Sequence, residues 1–167
     1  MMSLTEQMVK EYRRRVFGES IPRIRKCLNL LSEVEIWKQP NSEIPAVGNL
    51  VLHLCGNARQ WMLSGLFNID DERNRDAEFN SRGGWTKAEL HALLDQLEND
   101  VDINLECVSE KLLHEIHKVQ VFKESGMSIM IHVIEHFSYH TGQISLLTKY
   151  YTELDLGYYS GLDLNKK

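Results

Sequence analysis

A row of histidines near the C-terminal end of the sequence restricts the fold more than any other feature. Within a segment of helical apolar spacing, His132, His136, His140 and Gln143 recur at i, i+4, i+8 and i+11. Because a helix advances by about 100° per residue, these side chains share one face. Imidazoles one turn apart can direct their nitrogens at a single ion, and histidine is a common ligand of zinc and related divalent metals. The segment therefore predicts a long helix that carries part of a metal site.

A third ligand is expected from elsewhere in the chain, because a helical pair leaves a four-coordinate ion short of partners. His53 is the best candidate, since it lies in the apolar segment 49–61, where a polar ring needs a reason to be present. The alternative is a hydrogen-bonded histidine of the core. Asn49, Asn57 and Gln60 share the His53 face and either line the site or are ordinary exposed or locally bonded side chains.

Four amphipathic segments predict the fold. Capping boxes begin the first and third helices, at Ser3-x-x-Glu6 and Thr86-x-x-Glu89. The predicted helices run from 4 to about 35 with a kink at Pro22, from about 46 to 67, from 86 to about 107, and from 126 to about 151. Residues 68–85 are too long for a simple turn. We therefore predict an all-α fold, a four-helix bundle with a long crossover between helices 2 and 3, forming one domain over residues 1–167.

Two segments leave alternatives open. In the crossover, an arginine could reach the mouth of the site and bind an anion, the candidates being Arg73, Arg75 and Arg82. In segment 109–126, apolar spacing suggests a helix, whereas Val119–Phe122 alternates like a short strand. His114 and His117 also have a spacing that suits a metal if they are helical, although no partner face is evident.

Composition excludes some classes of function. The chain has 167 residues and a formal charge of −5, with 24 acidic against 19 basic residues. A general nucleic-acid binder needs a basic stripe, so no nucleic acid is expected as a partner. The basic cluster around Arg13–Arg15 is read as a solvated helix face. Three cysteines without a C-x-x-C spacing, Cys27, Cys55 and Cys107, suit a reducing compartment. Since no targeting or membrane segment is visible, we expect a cytoplasmic protein with no membrane partner.

The motifs resemble those of a known superfamily. His136-x-x-x-His140 followed by Thr141-Gly142-Gln143-Ile144, with His53 some eighty residues upstream, is similar to the DinB/YfiT-like metal-binding four-helix proteins. The resemblance extends over about residues 4–151. It implies that His53, His136 and His140 are the metal ligands. It also implies activities of two sorts, a transferase that uses a low-molecular-weight thiol and a metal-dependent hydrolase, and it suggests a homodimer.

Three neutral histidines leave a coordination position for water or substrate. An ion there can lower the pKa of water from about 16 to about 7, or hold a thiol as thiolate. His132 could act as an acid/base group or as a hydrogen-bond donor behind the ligands, or be a packed surface histidine. Gln143 could orient a water or a substrate carbonyl. Glu135 is interpreted as a solvated carboxylate or one that lies behind the ligands. We therefore predict a divalent-metal-dependent thiol S-transferase acting on small electrophiles. A hydrolase and a non-catalytic metal-binding stress or interaction protein are the alternatives. Zinc or nickel is the expected metal, with iron or copper also compatible with imidazole.

Overall fold

In a computed structural model, which describes residues 2–166, four helical regions pack into a bundle. Met1 and Lys167, the two ends of the predicted domain, lie outside the described residues. The all-α four-helix prediction is confirmed. The only strands among the described residues form one short hairpin, which sits beside the bundle rather than inside it.

The first bundle helix contains a change of helical type. α1 (Leu4–Tyr12) begins at the predicted capping box, in which Ser3 Oγ accepts from Glu6 N at 3.2 Å. A π-helical segment (Arg13–Ser20) follows and leads into α2 (Ile21–Leu30). This change of helical type lies just ahead of Pro22, and proline, which has no N–H to donate, suits the start of a new helical run. The predicted continuation to about residue 35 is wrong. Leu31 is extended, and a second capping box, Ser32 with Glu35, starts the short α3 (Glu33–Ile36).

The second bundle helix and the crossover form one side of the candidate site. α4 (Val47–Ala58) passes into a second π-helical segment (Arg59–Leu66). The connection over residues 67–86 is not structureless, since it contains α5 (Arg75–Asn80), which packs on α4. Asn49, at the start of α4, ties the two together because its Nδ2 donates to the carbonyl oxygens of Glu78 and Ser81 at 2.8 and 2.9 Å.

The third and fourth bundle helices are α6 (Lys87–Leu105) and α8 (Gly126–Thr152), close to their predicted bounds. Thr86 and Glu89 form the predicted capping box of α6, and Ser125 Oγ caps α8 by accepting from Ser128 N at 3.1 Å. Arg13 makes ion pairs with Asp102 of α6 and with Glu106, just past its end, and Arg25, further along the same basic region, pairs with Asp95 and Glu98 of α6. The cluster is thus partly an interhelical contact as well as a solvated face.

Segment 109–126 is mixed. α7 (Glu110–His114) precedes an antiparallel hairpin of β1 (Ile116–Val119) and β2 (Phe122–Ser125). The run Val119–Phe122, which alternated like one strand, instead spans the turn: Val119 pairs with Phe122, and Gln120 has a left-handed φ of 54°. His117 lies in β1 with Nε2 3.0 Å from the Leu112 carbonyl oxygen, while His114 is exposed at the end of α7. The two do not form a metal pair.

Apolar side chains from all four bundle helices fill one continuous core. Tyr12, Leu50, Leu94 and Phe137, one from each helix, are all at most 1% exposed. Truncating a residue such as Phe137 to alanine typically costs about 3–5 kcal/mol. This core fixes α4 against α8, and so fixes the relative positions of the histidines that the two helices carry. In the described part of the chain, no helix has the length and apolar character needed to cross a membrane.

Candidate metal centre

Three histidines from two bundle helices meet at one point. His53 lies in the middle of α4, and His136 and His140 lie one turn apart on α8. The Nε2 atoms of His53 and His136 are 2.9 Å apart, and one ligand atom from each of the three rings lies within 4.8 Å of the others. The His140 ring centroid is 5.0 Å from that of His53 and 4.5 Å from that of His136. The structure therefore brings together the three residues that the sequence predicted as ligands.

A carboxylate from the crossover orients His53. His53 Nδ1 lies 3.0 Å from Glu78 Oε2 and 3.1 Å from Arg73 Nη2, and the His53 and Glu78 side chains are largely buried. Because an ionised carboxylate can only accept, the contact with Glu78 favours the tautomer that carries its proton on Nδ1. With the proton held on Nδ1, the lone pair of Nε2 points toward the α8 histidines. Metal-binding histidines commonly have such a carboxylate partner, which fixes both the tautomer and the ring orientation. Glu78 is therefore a positioning residue behind the ligand rather than a ligand.

Glu78 is itself held by a buried arginine. Arg73 donates from Nε to Glu78 Oε1 at 2.7 Å and from Nη2 to Oε2 at 2.9 Å, and its side chain is only 4% exposed. Burial raises the pKa of the Glu78 carboxyl, but the hydrogen bonds from Arg73 and His53 outweigh it and hold that pKa below its usual range. The carboxylate therefore stays ionised at neutral pH.

The packing leaves room for this ion pair only because residue 56 is glycine. A Cβ on Gly56 would collide with the Glu78 carboxylate and lie 3.0 Å from Arg73 Nε. Gly56 lies three residues after His53 on α4, so the helix has no side chain at the position next to the ligand where Glu78 and Arg73 pack. This local feature favours a site built to hold His53 in one orientation.

Gln60 extends the network to the hairpin. Its Oε1 accepts from Arg73 Nη1 at 2.9 Å and from Gln120 Nε2 at 2.6 Å, and its Nε2 donates to Asp71 Oδ2 at 2.6 Å. Gln60 is thus neither at the metal nor an ordinary exposed residue. It links the crossover, the π-helical segment that follows α4 and the turn of the hairpin.

His140 has an orienting partner on its own helix. Its Nδ1–H donates to Gln143 Oε1 at 2.7 Å, which leaves Nε2 free to face the other two rings. Gln143 therefore supports a candidate ligand, a contact that the sequence reading did not foresee when it assigned this side chain to a water or a substrate carbonyl. The spacing i, i+3 that puts it there is the same helical neighbour relation that aligns the histidines.

All three α8 histidines are kept neutral by their surroundings. Burial, reinforced by the nearby rings of His140, His53 and His132 and by Arg73, lowers the pKa of His136 to about 3. Burial also lowers the pKa of His140, against the opposing effect of its bond to Gln143, and lowers the pKa of His132. A neutral imidazole is the form that binds metal. His136 and His140 are therefore in the metal-binding form across the physiological pH range.

His132 stands beside the trio without joining it. Its ring stacks on Trp61 at 3.6 Å between centroids and lies 5.3 Å from the His136 ring. Its Nε2 is buried and has no hydrogen-bond partner among the described residues. The residue is packed against an aromatic wall at the edge of the site.

The geometry fits a transition metal. Two imidazole nitrogens that share a tetrahedral zinc lie about 3.4 Å apart, given zinc–nitrogen bonds of about 2.1 Å. The 2.9 Å separation of His53 and His136 Nε2 is about half an ångström shorter, so a small outward shift of either ring would admit the ion. Three nitrogen ligands with two of the three rings oriented from behind form an incomplete coordination set, to which water or a substrate atom could add.

The other candidate residues lie away from this point. Glu135 is exposed, and the arginines proposed for the site mouth are engaged elsewhere: Arg75 lies over the Phe79 ring, Arg82 donates to the backbone, and Arg73 is buried behind His53. Cys55 is buried, and burial raises the pKa of its thiol to about 12, so it is neither ligand nor nucleophile.

Comparison with known proteins agrees with the fold. A family model described as "Protein of unknown function (DUF1572)" matches residues 4–160. The chain belongs to this family. Solved structures of DinB-like proteins share the fold at low sequence identity. YjoA from Bacillus subtilis has 15% identity and a TM-score of 0.65, over 89% of this chain and 94% of YjoA. A DinB-like protein from Bacillus cereus ATCC 10987 has 15% identity and a TM-score of 0.66, over 84% of this chain and 91% of that protein. No curated protein matches the sequence.

The DUF1572 chain thus has a DinB-like fold, as its motifs suggested, and a group of three histidines that could bind a metal ion. Sequence reasoning missed Glu78 and Gly56, and it considered Arg73 only as an anion-binding residue at the mouth of the site. A signal for them existed, because a buried histidine ligand requires an outer carboxylate and the charged crossover was the nearest source of one.

Proposed function

We propose that this protein binds a divalent transition metal through Nε2 of His53, His136 and His140 and uses it in a reaction on a small molecule. The observation that carries this proposal is the way two of the rings are held. Glu78 accepts from Nδ1 of His53 and Gln143 from Nδ1 of His140, so that both Nε2 lone pairs are presented to one point. A histidine that only fills the core needs a hydrogen-bond partner, and it has no need for its Nε2 to meet two other imidazole rings.

We infer that the reaction is transfer of a low-molecular-weight thiol to an electrophile. A divalent ion bound by three neutral ligands keeps its full charge, and it would lower the pKa of a thiol or a water molecule in its remaining position. No described carboxylate is free to serve as a general base at the trio, since Glu78 is engaged by Arg73 and His53. A thiol needs less help to ionise than water does, which favours thiol transfer over hydrolysis.

The surroundings of the trio suit an apolar electrophile. The Phe79 ring lies 4.7 Å from that of His53, and the Tyr139 ring lies 4.9 Å from that of His140, both between centroids. Trp61 adds a further aromatic surface next to His132. Flat aromatic walls beside a Lewis acid favour a small substrate with an apolar body.

Metal analysis of purified protein tests the ligand set. We expect one ion per chain in the wild type and loss of stoichiometric metal in His53→Ala, His136→Ala and His140→Ala. His132→Ala is the matched control, because it removes an imidazole from the same helix face without removing a proposed ligand. Full retention of metal in any of the first three variants would exclude that residue as a ligand, and loss in His132→Ala equal to that in His136→Ala would reverse their roles.

The reaction is tested by incubating metal-loaded protein with a panel of thiols and a chloro-nitroaromatic electrophile, with ester and amide substrates in parallel. Metal-dependent thioether formation that disappears in His140→Ala would support transfer. A specific observation favours one alternative, a purely structural ion: the ligands lie on two helices, so the ion would clamp α4 to α8. Metal-dependent thermal stabilisation without turnover of any substrate would support that alternative and count against catalysis.

A further inference from the structure

A groove of about 750 Å³ lies along α8, on a different side of the helix from the metal centre. Its second wall is the π-helical segment Arg13–Ser20 together with the first turn of α2. Ser138 and Gly142, which line it, each follow a candidate ligand by two residues, or about 200° around the helix. We call it the Arg23 groove; its lining includes Ser20, Arg23, Ser138, Thr141, Gly142 and Tyr158.

Arg23 brings an uncompensated positive charge to this groove. Its guanidinium lies 5.1 and 5.5 Å from the ring centroids of Tyr158 and Tyr159, and its Nη2 donates to Tyr159 Oη at 3.2 Å. Among the described residues it has no ion-pair partner, and Glu19, one turn earlier, is engaged by Arg14 at 2.5 Å. A guanidinium carries five N–H donors in a fixed fork, so a carboxylate or a phosphate can bind Arg23 through two parallel hydrogen bonds.

Each wall of the groove also contributes a nearly buried hydroxyl group that has no partner among the described residues. Thr141 is 6% exposed and its Oγ1 is unpaired, and Ser20 is 7% exposed and makes no capping bond although it occupies the N-cap position of α2. The other side-chain hydroxyls further along α8 behave differently, since those of Ser145, Thr148 and Thr152 each donate to the carbonyl oxygen four residues earlier. Buried polar groups are normally hydrogen-bonded, so a polar ligand in the groove would supply what these two hydroxyls lack.

A chain of hydrogen bonds makes the Arg23 end of the groove rigid. Tyr158 Oη lies 2.7 Å from Ser145 Oγ and 3.2 Å from Cys27 Sγ. Because the Ser145 hydroxyl donates to the Thr141 carbonyl oxygen at 2.7 Å, Tyr158 donates to Ser145. Tyr158 is thus fixed to both walls, and Arg23 lies over a ring that does not have to be ordered when a ligand arrives.

The backbone of the second wall is also unusual. π-Helical conformation is rare and frequently occurs at functional sites. The other π-helical segment, Arg59–Leu66, carries Gln60, which bonds Arg73, and Trp61, which stacks on His132, at the edge of the metal centre. The segment Arg13–Ser20 borders the Arg23 groove instead. Each of the two departures from regular helix therefore borders a candidate binding site.

We propose that the Arg23 groove is a second ligand site, which binds a small polyhydroxylated molecule that carries one oxyanion, a sugar acid or a sugar phosphate. Arg23 binds the carboxylate or phosphate group. The hydroxyls of Ser20, Ser138 and Thr141 bind the hydroxyl groups of the ligand. The proposal does not depend on the metal or on the reaction.

The remainder of the lining agrees with a single anionic group. Both Arg15 and Glu135 line the groove, so this part of it favours no second charge of either sign. Ile134 and Tyr139 add apolar surface, which suits the C–H faces of a sugar ring. The groove therefore favours a neutral hydroxylated body joined to one charged group over a molecule with several charges.

Titration calorimetry on the full chain tests the proposal, with gluconate, glucose 6-phosphate and glucose as probes. Metal-free protein at constant ionic strength is used, because both anions also bind metal ions. At least one anion should bind one site per chain with a dissociation constant between about 0.1 and 1 mM, and glucose should bind at least about tenfold more weakly. Tighter binding of gluconate would identify a carboxylate ligand, and tighter binding of glucose 6-phosphate a phosphate ester.

Two substitutions locate the bound anion. Arg23→Leu should weaken binding at least about tenfold, since it removes the charge-assisted hydrogen bonds. Arg75→Leu is the matched control: Arg75 also lies over an aromatic ring, 4.9 Å from the Phe79 centroid, but in the crossover, and its loss should leave the affinity unchanged. His140→Ala should bind the anion as the wild type does, and a loss there equal to that in Arg23→Leu would place the anion at the histidine trio and overturn the proposal.

Gly142→Leu blocks the groove without disturbing the core. A Cβ at this position meets nothing within 4 Å, so the new side chain enters the groove and should abolish binding. The thermal midpoint of the ligand-free protein should stay at or above that of the wild type, because glycine is unfavourable inside a helix. The proposal fails if neither anion binds saturably up to about 20 mM, if glucose binds equally well, or if Arg23→Leu and Gly142→Leu both keep the wild-type affinity.

Discussion

Replacing Glu78 by glutamine should damage both the stability of the fold and the hold on the metal. Glu78 is an acceptor only, receiving from Arg73 at 2.7 and 2.9 Å and from His53 at 3.0 Å. An amide of the same shape has one oxygen and one NH₂ group. If the NH₂ group faces Arg73 Nε, that buried donor loses its acceptor; if it faces His53 Nδ1, the imidazole must move its proton to Nε2, where the proton would block the lone pair needed for the metal.

The size of the effect follows from burial. The Arg73 side chain is 4% exposed and that of Glu78 10%, so the substitution leaves an uncompensated charge inside the protein. Breaking such a pair from one side costs about 3–5 kcal/mol of unfolding free energy. Loss of the carboxylate behind His53 should in addition weaken metal binding by about 10- to 100-fold, the usual consequence of removing an outer partner of a histidine ligand.

Two measurements separate these effects. Urea unfolding with chelator present gives the stability of the protein without metal, and competition with a chromophoric chelator gives the metal dissociation constant under conditions where each variant is folded. The double variant Arg73→Met/Glu78→Gln removes the unpaired charge and should recover much of the stability, but not the metal affinity. If Glu78→Gln unfolds within about 0.5 kcal/mol of the wild type and binds metal equally well, the role assigned to this carboxylate is wrong.

Three other outcomes are expected. Gln143→Leu should weaken metal binding about tenfold, because the His140 ring loses the partner that orients it. Stability should change little, since no buried charge is left unpaired. The same chelator competition measures the metal affinity. Gly56→Ala should reduce both stability and metal affinity, since its methyl group displaces Glu78. Gly83→Ala is the control: a methyl group there meets nothing within 4 Å, but the residue has a φ of 143°, so the change should lower stability alone. Stability without metal should fall as the pH is lowered from about 6.5 to about 3: the unfolded chain takes up a proton at residue 136 near pH 6.5, whereas the folded chain keeps His136 neutral until about pH 3, so acid favours unfolding. A thermal midpoint independent of pH in this window would contradict that assignment.

The sequence allowed the helices and the histidine trio to be predicted because both depend on short-range periodicity. The capping boxes at Ser3 and Thr86 marked helix starts correctly, and the spacing of His136 and His140 sets their relation directly. The wrong end of the first bundle helix could have been avoided, since Ser32-x-x-Glu35 carries the same capping signal. The turn at Gln120 could not have been predicted, because a left-handed φ at a non-glycine residue has no reliable sequence signature.

The parts of the site that were not predicted depend on distant contacts. Glu78 lies 25 positions from His53, and its approach is set by how α5 packs on α4 rather than by any local pattern. The need for an outer carboxylate was foreseeable from chemistry, but its identity was not. Similarly, Arg73 was one of three crossover arginines considered for the mouth of the site, and its burial behind His53 instead depends on the space that Gly56 leaves.

The placement of the ligands on different helices has a consequence for how the ion would be retained. A peptide copied from α8 alone would supply two imidazoles with nothing to complete or orient the set, and His53 owes its direction to a crossover that exists only in the assembled bundle. Affinity for the ion would therefore belong to the native state, and saturation at 100 times the dissociation constant would add about 2.7 kcal/mol to the work of unfolding. Release of the ion would then report loss of tertiary structure, and a cell depleted of the metal would hold a less durable form of the same chain.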